Sequence, residues 1–244
     1  MRDVKNFNAL ELRIKIFADG ADTASILMLA KDPLIKGFTT NPTLMRKSGV
    51  TDYAAFSRDL LREIPDKPIS FEVLSDEQAE MKRQALKIAS WGKNVNVKIP
   101  VTNSLGLPSY GLIHELSHAG VMINVTAVFT LDQVRRVCRE LVGGSPAIVS
   151  VFAGRIADCG RDPIPHMKEA LKICRDTEPK IELLWASPRE ALNILHAEES
   201  GTDIITLTPD LLQKMKMFGK DLDAFSRETV LMFKNDGEKA GYVI

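Results

Sequence analysis

Short apolar runs alternate with longer amphipathic segments along most of the chain. The runs are rich in Val and Ile, as is typical of parallel strands that are buried on both faces. Between them, apolar residues recur at helical spacing, for example at Val134, Val137 and Leu141. The pattern predicts eight strands, at Ile14–Asp19, Gly37–Asn41, Ile69–Leu74, Val95–Val101, Val121–Phe129, Ala147–Ala153, Ile181–Ser187 and Asp203–Thr208.

Eight strand-then-helix units predict an α/β protein with the fold of a (β/α)8 TIM barrel. The 244 residues suffice for such a barrel, and no long linker or low-complexity tract divides them, so we expect a single domain over residues 1–244. Residues 221–244 predict an extra C-terminal helix at Asp221–Asn235 and a polar tail, which would cap the barrel or dock on a neighbouring subunit. The alternative is an open doubly wound sheet, but no G-x-G-x-x-G follows the first strand.

Composition and charge narrow the class of protein. Lys+Arg and Asp+Glu both number 32, so charge predicts neither a nucleic-acid partner nor a membrane partner. Cys138, Cys159 and Cys174 are widely spaced and contain no C-x-x-C pair, which favours a reducing, cytoplasmic location. The N-terminus M-R-D-V-K-N-F-N lacks the apolar segment of a signal peptide. No apolar run approaches the roughly 20 residues that span a bilayer.

Lys98 stands inside the apolar run V-N-V-K-I-P-V-T, between Val97 and Ile99. Burial disfavours the charged form of a lysine, and a neutral amine can attack a carbonyl carbon and form a Schiff base. The position therefore suggests a nucleophilic lysine. The alternative is a lysine that points into water from an edge strand, because buried lysines are rare.

Polar residues gather at the carboxyl ends of the predicted strands, where the chemistry of TIM barrels is located. Barrel interiors are filled mainly by Val, Ile and Leu, so this polarity predicts an active site. A hydrogen-bonded polar layer without chemistry is the alternative. The candidates are Asp19, Thr39, Asn41, Glu72, Lys98, Asn124, Thr126, Ser150, Arg155 and Ser187.

The types of side chain in this set suggest a sugar phosphate as the ligand. Asp19 and Glu72 can move the protons that imine formation and C–C cleavage require, whereas amides and hydroxyls bind substrate hydroxyls without adding charge. Arg155 offers a bidentate fork for a phosphate, and Ser187 precedes a helix whose backbone N–H groups also favour an anion. Two carboxylates near Lys98 favour its charged form, which opposes the effect of burial, and the sequence leaves this balance open.

A competing motif is H-E-L-S-H at His114–His118, which matches the zinc-protease signature H-E-x-x-H. The segment Tyr110–Ala119 precedes Gly120 and a buried strand, so it is better interpreted as an outer helix of the barrel, remote from the strand ends. Glu140 is the only candidate for a third ligand. We therefore expect no metal site.

Several motifs, in order, resemble the transaldolase family, which includes the small fructose-6-phosphate aldolases. They are F-A-D-G, G-F-T-T-N-P-T-L, V-K-I-P-V-T, N-V-T-A-V-F-T-L-x-Q and S-V-F-A-G-R-I, and the likeness runs from Ile14 to Leu211. The resemblance implies class I aldolase chemistry without a metal or other cofactor. A lysine imine takes a dihydroxyacetone unit from a ketose phosphate and passes it to an aldehyde. It also implies a homo-oligomer, for which a decameric ring is one form.

Carried over by motif, the resemblance gives each candidate a role. Lys98 forms the imine, Asp19 is the acid/base, and Glu72 with Thr126 holds a catalytic water. Asn41, Asn124 and Ser150 bind the dihydroxyacetone end, and Arg155 and Ser187 bind the phosphate. Thr39 and Phe152 are also expected to bind substrate. A barrel that binds sugar phosphates without catalysis is the alternative, against which the intact set of Asp19, Glu72 and Lys98 speaks.

Departures from the family pattern concern both the reaction and the acceptor. Family members that release free dihydroxyacetone are expected to carry Gln at position 72 and Tyr at position 152, whereas Glu72 and Phe152 suggest a true transaldolase. After the seventh strand, L-W-A-S-P-R replaces the usual A-S-F-R. Direct matching makes Arg189 a second phosphate ligand, but Arg189 also fits the start of the next helix. Trp185 replaces a smaller residue and predicts a reshaped acceptor pocket.

Overall fold

Eight parallel strands form one closed barrel in the order β1 to β8, so the predicted (β/α)8 fold is confirmed. The structure is a computed structural model and describes residues 8–243. Residues 1–7, the polar stretch for which we expect no signal peptide, and Ile244 lie outside the described residues.

The strands and helices alternate along the chain, with short additional helices after β2, β6 and β8. The strands are β1 (Lys15–Asp19), β2 (Ile35–Thr39), β3 (Ile69–Glu72), β4 (Val95–Pro100), β5 (Ile123–Val128), β6 (Ala147–Val151), β7 (Ile181–Trp185) and β8 (Ile204–Leu207). The helices are α1 (Thr23–Ala30), α2 (Pro42–Lys47), α3 (Tyr53–Glu63), α4 (Gln78–Ala89), α5 (Tyr110–His118), α6 (Leu131–Leu141), α7 (Ala153–Asp158), α8 (Pro163–Thr177), α9 (Asn193–Ser200), α10 (Pro209–Met215) and α11 (Leu222–Ala240).

The predicted strands are present, but most are shorter than the apolar runs that predicted them. The second strand begins earlier than predicted, at Ile35, because Ile35 pairs with Ile16 of β1. The exposed Lys36 conceals this residue in the sequence pattern. The first polar residues after several strands, such as Asn41, lie beyond the hydrogen-bonded ladder and begin the connecting segments.

Polar side chains at helix starts define where the outer layer begins. Asp22, Asp52 and Asp162 each accept a hydrogen bond from a backbone N–H in the first turn of the helix that follows. Thr130 and Gln133 form a reciprocal capping box at α6, an arrangement that satisfies otherwise unpaired N–H groups. These caps determine where the helices of the outer layer begin.

The hydrophobic core has two parts. The larger part lies between the strands and the outer helices and contains the bulky side chains of Phe38, Phe71 and Trp185. A smaller cluster inside the barrel consists of Phe17, Ile148, Leu184, Ala186 and Ile204.

Phe17 is the centre of this inner cluster. Its ring packs where Gly37 has no side chain, and a Cβ at position 37 would lie 2.6 Å from the ring. Phe17 and Ile148 line a cavity of about 480 Å³ at the amino-terminal mouth. Leu184 and Ala186 line a different cavity at the carboxyl ends of the strands. The inner cluster therefore separates the two cavities.

The extra C-terminal helix is present as α11 and is longer than predicted. It continues through Gly237 and ends at Gly241, which adopts a left-handed conformation (φ 66°). None of its residues is buried against the barrel. Within residues 8–243, the helices are all too short or too polar to cross a bilayer.

Candidate active site

The carboxyl ends of the strands surround an open cavity of about 500 Å³. Its lining includes every predicted site residue except Arg189. These are Asp19, Thr39, Asn41, Glu72, Lys98, Asn124, Thr126, Ser150, Phe152, Arg155 and Ser187. The strand register brings them together, because Lys98 pairs with Glu72 on one side and with Asn124 on the other.

Lys98 points into this cavity and is the only lysine among the described residues that line it. Its Nζ donates a hydrogen bond to the backbone oxygen of Thr40 at 2.7 Å. The same atom lies 2.9 Å from Oε2 of Glu72, and only 9% of the lysine side chain is exposed. Lys98 is therefore an interior lysine held in an ion pair, and the alternative of an outward-pointing lysine does not apply.

Asp19 stands at the end of β1 and lines the same cavity. The hydroxyl of Thr39 donates to its Oδ1 at 2.8 Å. Burial raises the pKa of Asp19 above its ordinary value, and the negative charge of Glu72 acts in the same direction. The positive charge of Lys98 and the hydrogen bond from Thr39 oppose this rise without cancelling it. A raised pKa makes a carboxyl group a better match for a task in which it both accepts and returns a proton.

The amides and hydroxyls of the cavity are held in defined orientations. The hydroxyl of Ser150 donates to Oδ1 of Asn124 at 2.6 Å, and Nδ2 of Asn124 donates to the hydroxyl of Ser70 at 3.1 Å. Asn41 caps α2, since its Oδ1 accepts from the backbone N–H of Leu44 at 3.0 Å. Its Nδ2 group therefore remains available to a ligand. The hydroxyl of Thr126 has no hydrogen-bond partner among residues 8–243.

Arg155 and Ser187 form one corner of the cavity, here called the Arg155–Ser187 corner. The guanidinium carbon of Arg155 lies 5.4 Å from the ring centroid of Phe152. No carboxylate of the described chain pairs with this guanidinium, which leaves its N–H groups free for an anion. Ser187 has a left-handed backbone (φ 59°), a conformation that costs a residue with a side chain about 1–2 kcal/mol.

Gly154 makes the left-handed turn at Ser187 possible. A Cβ at position 154 would lie 1.6 Å from the carbonyl oxygen of Ser187 and 2.6 Å from its carbonyl carbon. The backbone N–H of Gly154 also donates to the carbonyl oxygen of Ala186 at 3.3 Å. The segment after β7 therefore passes directly over the first turn of α7 because position 154 has no side chain.

Two predictions about the segment around Ser187 differ from what the structure shows. Arg189 lies outside the cavity, where its Nε and Nη2 atoms bind Oδ2 of Asp158 at 2.8 and 2.5 Å. Trp185 does not reshape the cavity, because its side chain is fully buried on the outside of the barrel, near His196 of α9. Arg189 follows the left-handed Ser187, which turns the chain. Trp185 precedes this turn and faces outward by the regular alternation of β7, between Leu184 and Ala186, which line the cavity.

The H-E-L-S-H segment lies on the outer helix α5, as predicted. The imidazole rings of His114 and His118 stack with their centroids 4.1 Å apart. Both ring nitrogens of His118 face backbone oxygens, those of His114 at 2.8 Å and Val142 at 3.1 Å. Among the residues that the structure describes, no group of three or more His, Cys, Asp or Glu side chains could hold a metal ion.

The cavity also contains residues that the sequence analysis did not select. Thr206 on β8 lies within hydrogen-bond distance of Thr39, with 2.5 Å between the two hydroxyl oxygens. Its signal is present in the sequence, since it is a polar residue in the apolar run I-I-T-L, like Asn124 and Thr126 in theirs. Ala127 also lines the cavity and has a left-handed backbone (φ 58°), which an alanine in a strand does not reveal.

Sequence comparisons find known relatives over most of this chain. Residues 16–241 match the family described as transaldolase/fructose-6-phosphate aldolase. A protein of Dehalococcoides mccartyi named "Probable transaldolase" is 34% identical over 83% of this chain and 90% of its own length. A protein of the same name from Thermoanaerobacter sp. strain X514 is 32% identical over 95% of this chain and 100% of its own length.

More distant solved structures share the fold. A 2,3-dimethylmalate lyase aligns with a TM-score of 0.55 at 14% identity, covering 97% of this chain and 89% of that chain. A citrate synthase aligns with a TM-score of 0.58 at 10% identity, covering 94% and 95%. At these identities the likeness concerns the barrel alone, whereas the family match covers residues 16–241. The chain belongs to the transaldolase/fructose-6-phosphate aldolase family.

Proposed function

We propose that this protein is a transaldolase that acts through a Schiff base on Lys98. It transfers a dihydroxyacetone unit from a ketose phosphate to an aldehyde acceptor. The observation that carries the proposal is the position of the Lys98 amine, which is buried at the wall of a polar cavity and lies 2.9 Å from a carboxylate oxygen of Glu72.

The neighbouring carboxyl groups supply the proton transfers. Lys98 gives up a proton, for which Glu72 is within reach, and its nitrogen then adds to the substrate ketone to form a carbinolamine. Loss of water from the carbinolamine gives the imine. Asp19 then takes the proton from the hydroxyl of the carbon that departs when the C–C bond breaks. That oxygen becomes the carbonyl of the released aldehyde, and the bonding electrons pass to the imine to form an enamine. The enamine attacks the acceptor aldehyde, and water, held by Glu72 and Thr126, releases the new ketose.

The rest of the cavity fits the two ends of a sugar phosphate. Thr39, Asn41, Asn124 and Ser150 present hydroxyl and amide groups at the dihydroxyacetone end. The unpaired guanidinium of Arg155 and the hydroxyl of Ser187 face the phosphate. The ion pair of Arg189 with Asp158 does not support a phosphate-binding role for Arg189.

Trapping with borohydride tests the chemistry. The protein is incubated with fructose 6-phosphate, reduced with borohydride and digested, and the modified peptide is located by its mass. We expect one adduct, on Lys98, and none in the Lys98→Met variant. An adduct on another lysine, or binding of the ketose without any adduct, would contradict the proposal, and the latter would favour a non-catalytic sugar-phosphate-binding barrel.

A second candidate function is cleavage that releases free dihydroxyacetone, as in the aldolases of this family. Glu72 and Phe152 favour transfer instead, because position 152 places an apolar ring next to Phe129 and Arg155 where the aldolases are expected to have a tyrosine hydroxyl. The two functions are separated by comparing the rate of transfer to an added aldose phosphate with the rate of dihydroxyacetone release. Predominant release would favour the aldolase.

We also propose that the chain is one domain, is cytoplasmic and forms a homo-oligomer through α11, with a decameric ring as one form. The three free thiols suit a reducing compartment. Helix α11 exposes the apolar side chains Leu222, Val230, Leu231, Met232 and Phe233, and such a surface suits a subunit contact. Light scattering should give a multiple of 27.0 kDa, and Phe233→Asp should lower it. A monomer of unchanged mass in both proteins would refute the contact.

A further inference from the structure

Thr206 occupies a position in the cavity that the reaction described above does not use. It lies on β8, and Thr39 lies on β2, so the two side chains come from the strands on either side of β1. Both threonines are buried, and their hydroxyl oxygens are 2.5 Å apart. Asp19 stands on β1 between them and is bound to Thr39 at 2.8 Å.

The available protons determine the direction of these hydrogen bonds. A threonine hydroxyl has one proton to donate and two lone pairs that accept. When Asp19 is ionised, it can only accept, so the single proton of Thr39 points to Asp19. Thr39 can then only accept from its other neighbour, which means that Thr206 donates to Thr39.

We propose that Thr206 is a positioning residue for the acid/base Asp19 and acts through the hydroxyl of Thr39. The inference rests on the proposed function, since Asp19 must exchange a proton with the substrate for the position of its carboxylate to affect the rate.

The hydroxyls of Thr206 and Thr39 form a chain that can hydrogen-bond to Asp19 both when it is ionised and when it is protonated. When Asp19 carries the proton, the carboxyl group can donate to Thr39, and Thr39 can donate to Thr206. The three oxygens keep their positions while the hydrogen bonds reverse. Without the hydroxyl of residue 206, Thr39 no longer accepts a hydrogen bond from that side, and its own hydrogen bond to the ionised carboxylate loses the cooperative strengthening that such a chain gives.

Other charged groups also act on Asp19 and stay constant in the test. Lys98 on β4 and Glu72 on β3 face it within the cavity. Asp22 and Asp210 line a neighbouring cavity of about 270 Å³ that Asp19 also borders. None of these residues is changed in the Thr206 variants, so a difference between the variants reports the hydroxyl.

The experiment compares Thr206→Val, which keeps the shape of the side chain and removes the hydroxyl, with Thr206→Ser, which keeps the hydroxyl. We expect Thr206→Val to lower kcat about tenfold, a modest part of the effect of an acid/base, with KM changed less than about twofold. The acidic limb of the pH profile should move up by about half a unit, because ionised Asp19 loses support from Thr39. Thr206→Ser should restore both values.

Thr202→Val is the matched control. Thr202 is buried, and its hydroxyl lies 2.6 Å from the hydroxyl of Ser200, outside the cavity. This control should leave kcat and the acidic limb unchanged. An unchanged Thr206→Val, a Thr206→Ser as impaired as Thr206→Val, or an equal loss in Thr202→Val would each overturn the proposal.

A titration without substrate separates this inference from the proposed function. The protein is labelled with ¹³C in its aspartate carboxyl groups, and the Asp19 signal is assigned by its loss in Asp19→Asn. Its titration midpoint should rise in Thr206→Val and not in Thr206→Ser. If the unchanged protein forms no imine and transfers nothing, the proposed function fails. An unmoved midpoint refutes the coupling of Thr206 to Asp19 in either case.

Discussion

Gly154 links the backbone path after β7 to the affinity for phosphate. In Gly154→Ala, the new Cβ would lie 1.6 Å from the carbonyl oxygen of Ser187, whereas real contacts of this kind are 3.0 Å or longer. The obstacle is backbone, so no side chain can rotate out of the way. The oxygen of Ser187 must therefore move by about 1.4 Å, and the Arg155–Ser187 corner opens with it.

The magnitude follows from this displacement. A misplacement of about 1 Å at a reacting or binding group can cost about 100-fold in rate, so we expect kcat/KM for a ketose phosphate to fall by about that factor. For the same ketose without phosphate the loss should stay within about threefold, because Lys98 and Asp19 are on other strands. Overpacking should also lower the free energy of unfolding by about 1–3 kcal/mol.

The assay measures kcat/KM for fructose 6-phosphate and for fructose side by side, together with thermal unfolding. Gly111→Ala is the control. Gly111 lies exposed within α5, and a Cβ there meets nothing within 4 Å. This control should keep wild-type activity and gain about 0.5–1 kcal/mol of stability. Equal losses on the two sugars in Gly154→Ala, or no loss on either, would refute the link between Gly154 and phosphate.

Three further changes test individual side chains. Lys98→Met should keep the circular dichroism of the folded protein and abolish turnover, since no amine remains in the cavity; residual wild-type turnover would require another nucleophile. Asp19→Asn should abolish activity and raise the melting temperature at pH 7 by about 2–4 °C, the change that about 1 kcal/mol gives a chain of this size. The sign follows from the raised pKa of Asp19. The parent protein has its full stability below pH 3.8, the pKa of Asp19 in the unfolded chain, and loses part of it as the pH rises through the pKa of Asp19 in the folded protein. The asparagine of the variant cannot ionise, so the variant does not suffer this loss. The gain should therefore vanish below pH 3.8, and a variant no more stable than the parent at pH 7 would contradict this. Arg155→Gln should raise KM for the ketose phosphate about 10–100-fold, the effect of a hydrogen bond to a charged group. Arg189→Gln should leave KM for the ketose phosphate within about twofold of the parent value. If both variants raised KM equally, Arg189 would also bind the phosphate.

The sequence predicted the parts of the site that depend on strand periodicity. Lys98, Asn124 and Glu72 are polar residues within apolar runs, and the regular register of a closed barrel brings such positions to one face. Thr206 satisfies the same criterion. The parts that depend on the path of the backbone between elements could not be predicted in this way.

Two features of the backbone show why. The left-handed conformation of Ser187 turns the chain after β7, so strand alternation no longer tells where Arg189 lies relative to the cavity. The extent of α11 shows a related limit. The predicted helix ended at Asn235, but α11 continues through Gly237 and stops at Gly241, although a glycine commonly ends a helix. Which of two glycines ends a helix depends on contacts that periodicity does not contain.

The ring of Phe17 over Gly37 has a consequence for how reactants travel. Because the inner cluster fills the middle of the barrel, residues 8–243 leave the lysine open only toward the carboxyl ends of the strands. The first aldehyde must then leave by the same opening through which the acceptor enters. Initial rates at varied donor and acceptor should therefore give parallel double-reciprocal lines, as covalent catalysis with sequential departure and entry requires; intersecting lines would mean that both occupy the cavity together. With a single opening, an aldehyde product that dissociates slowly also prevents the acceptor from binding. The donor with the fastest C–C cleavage therefore need not be the donor with the highest turnover rate.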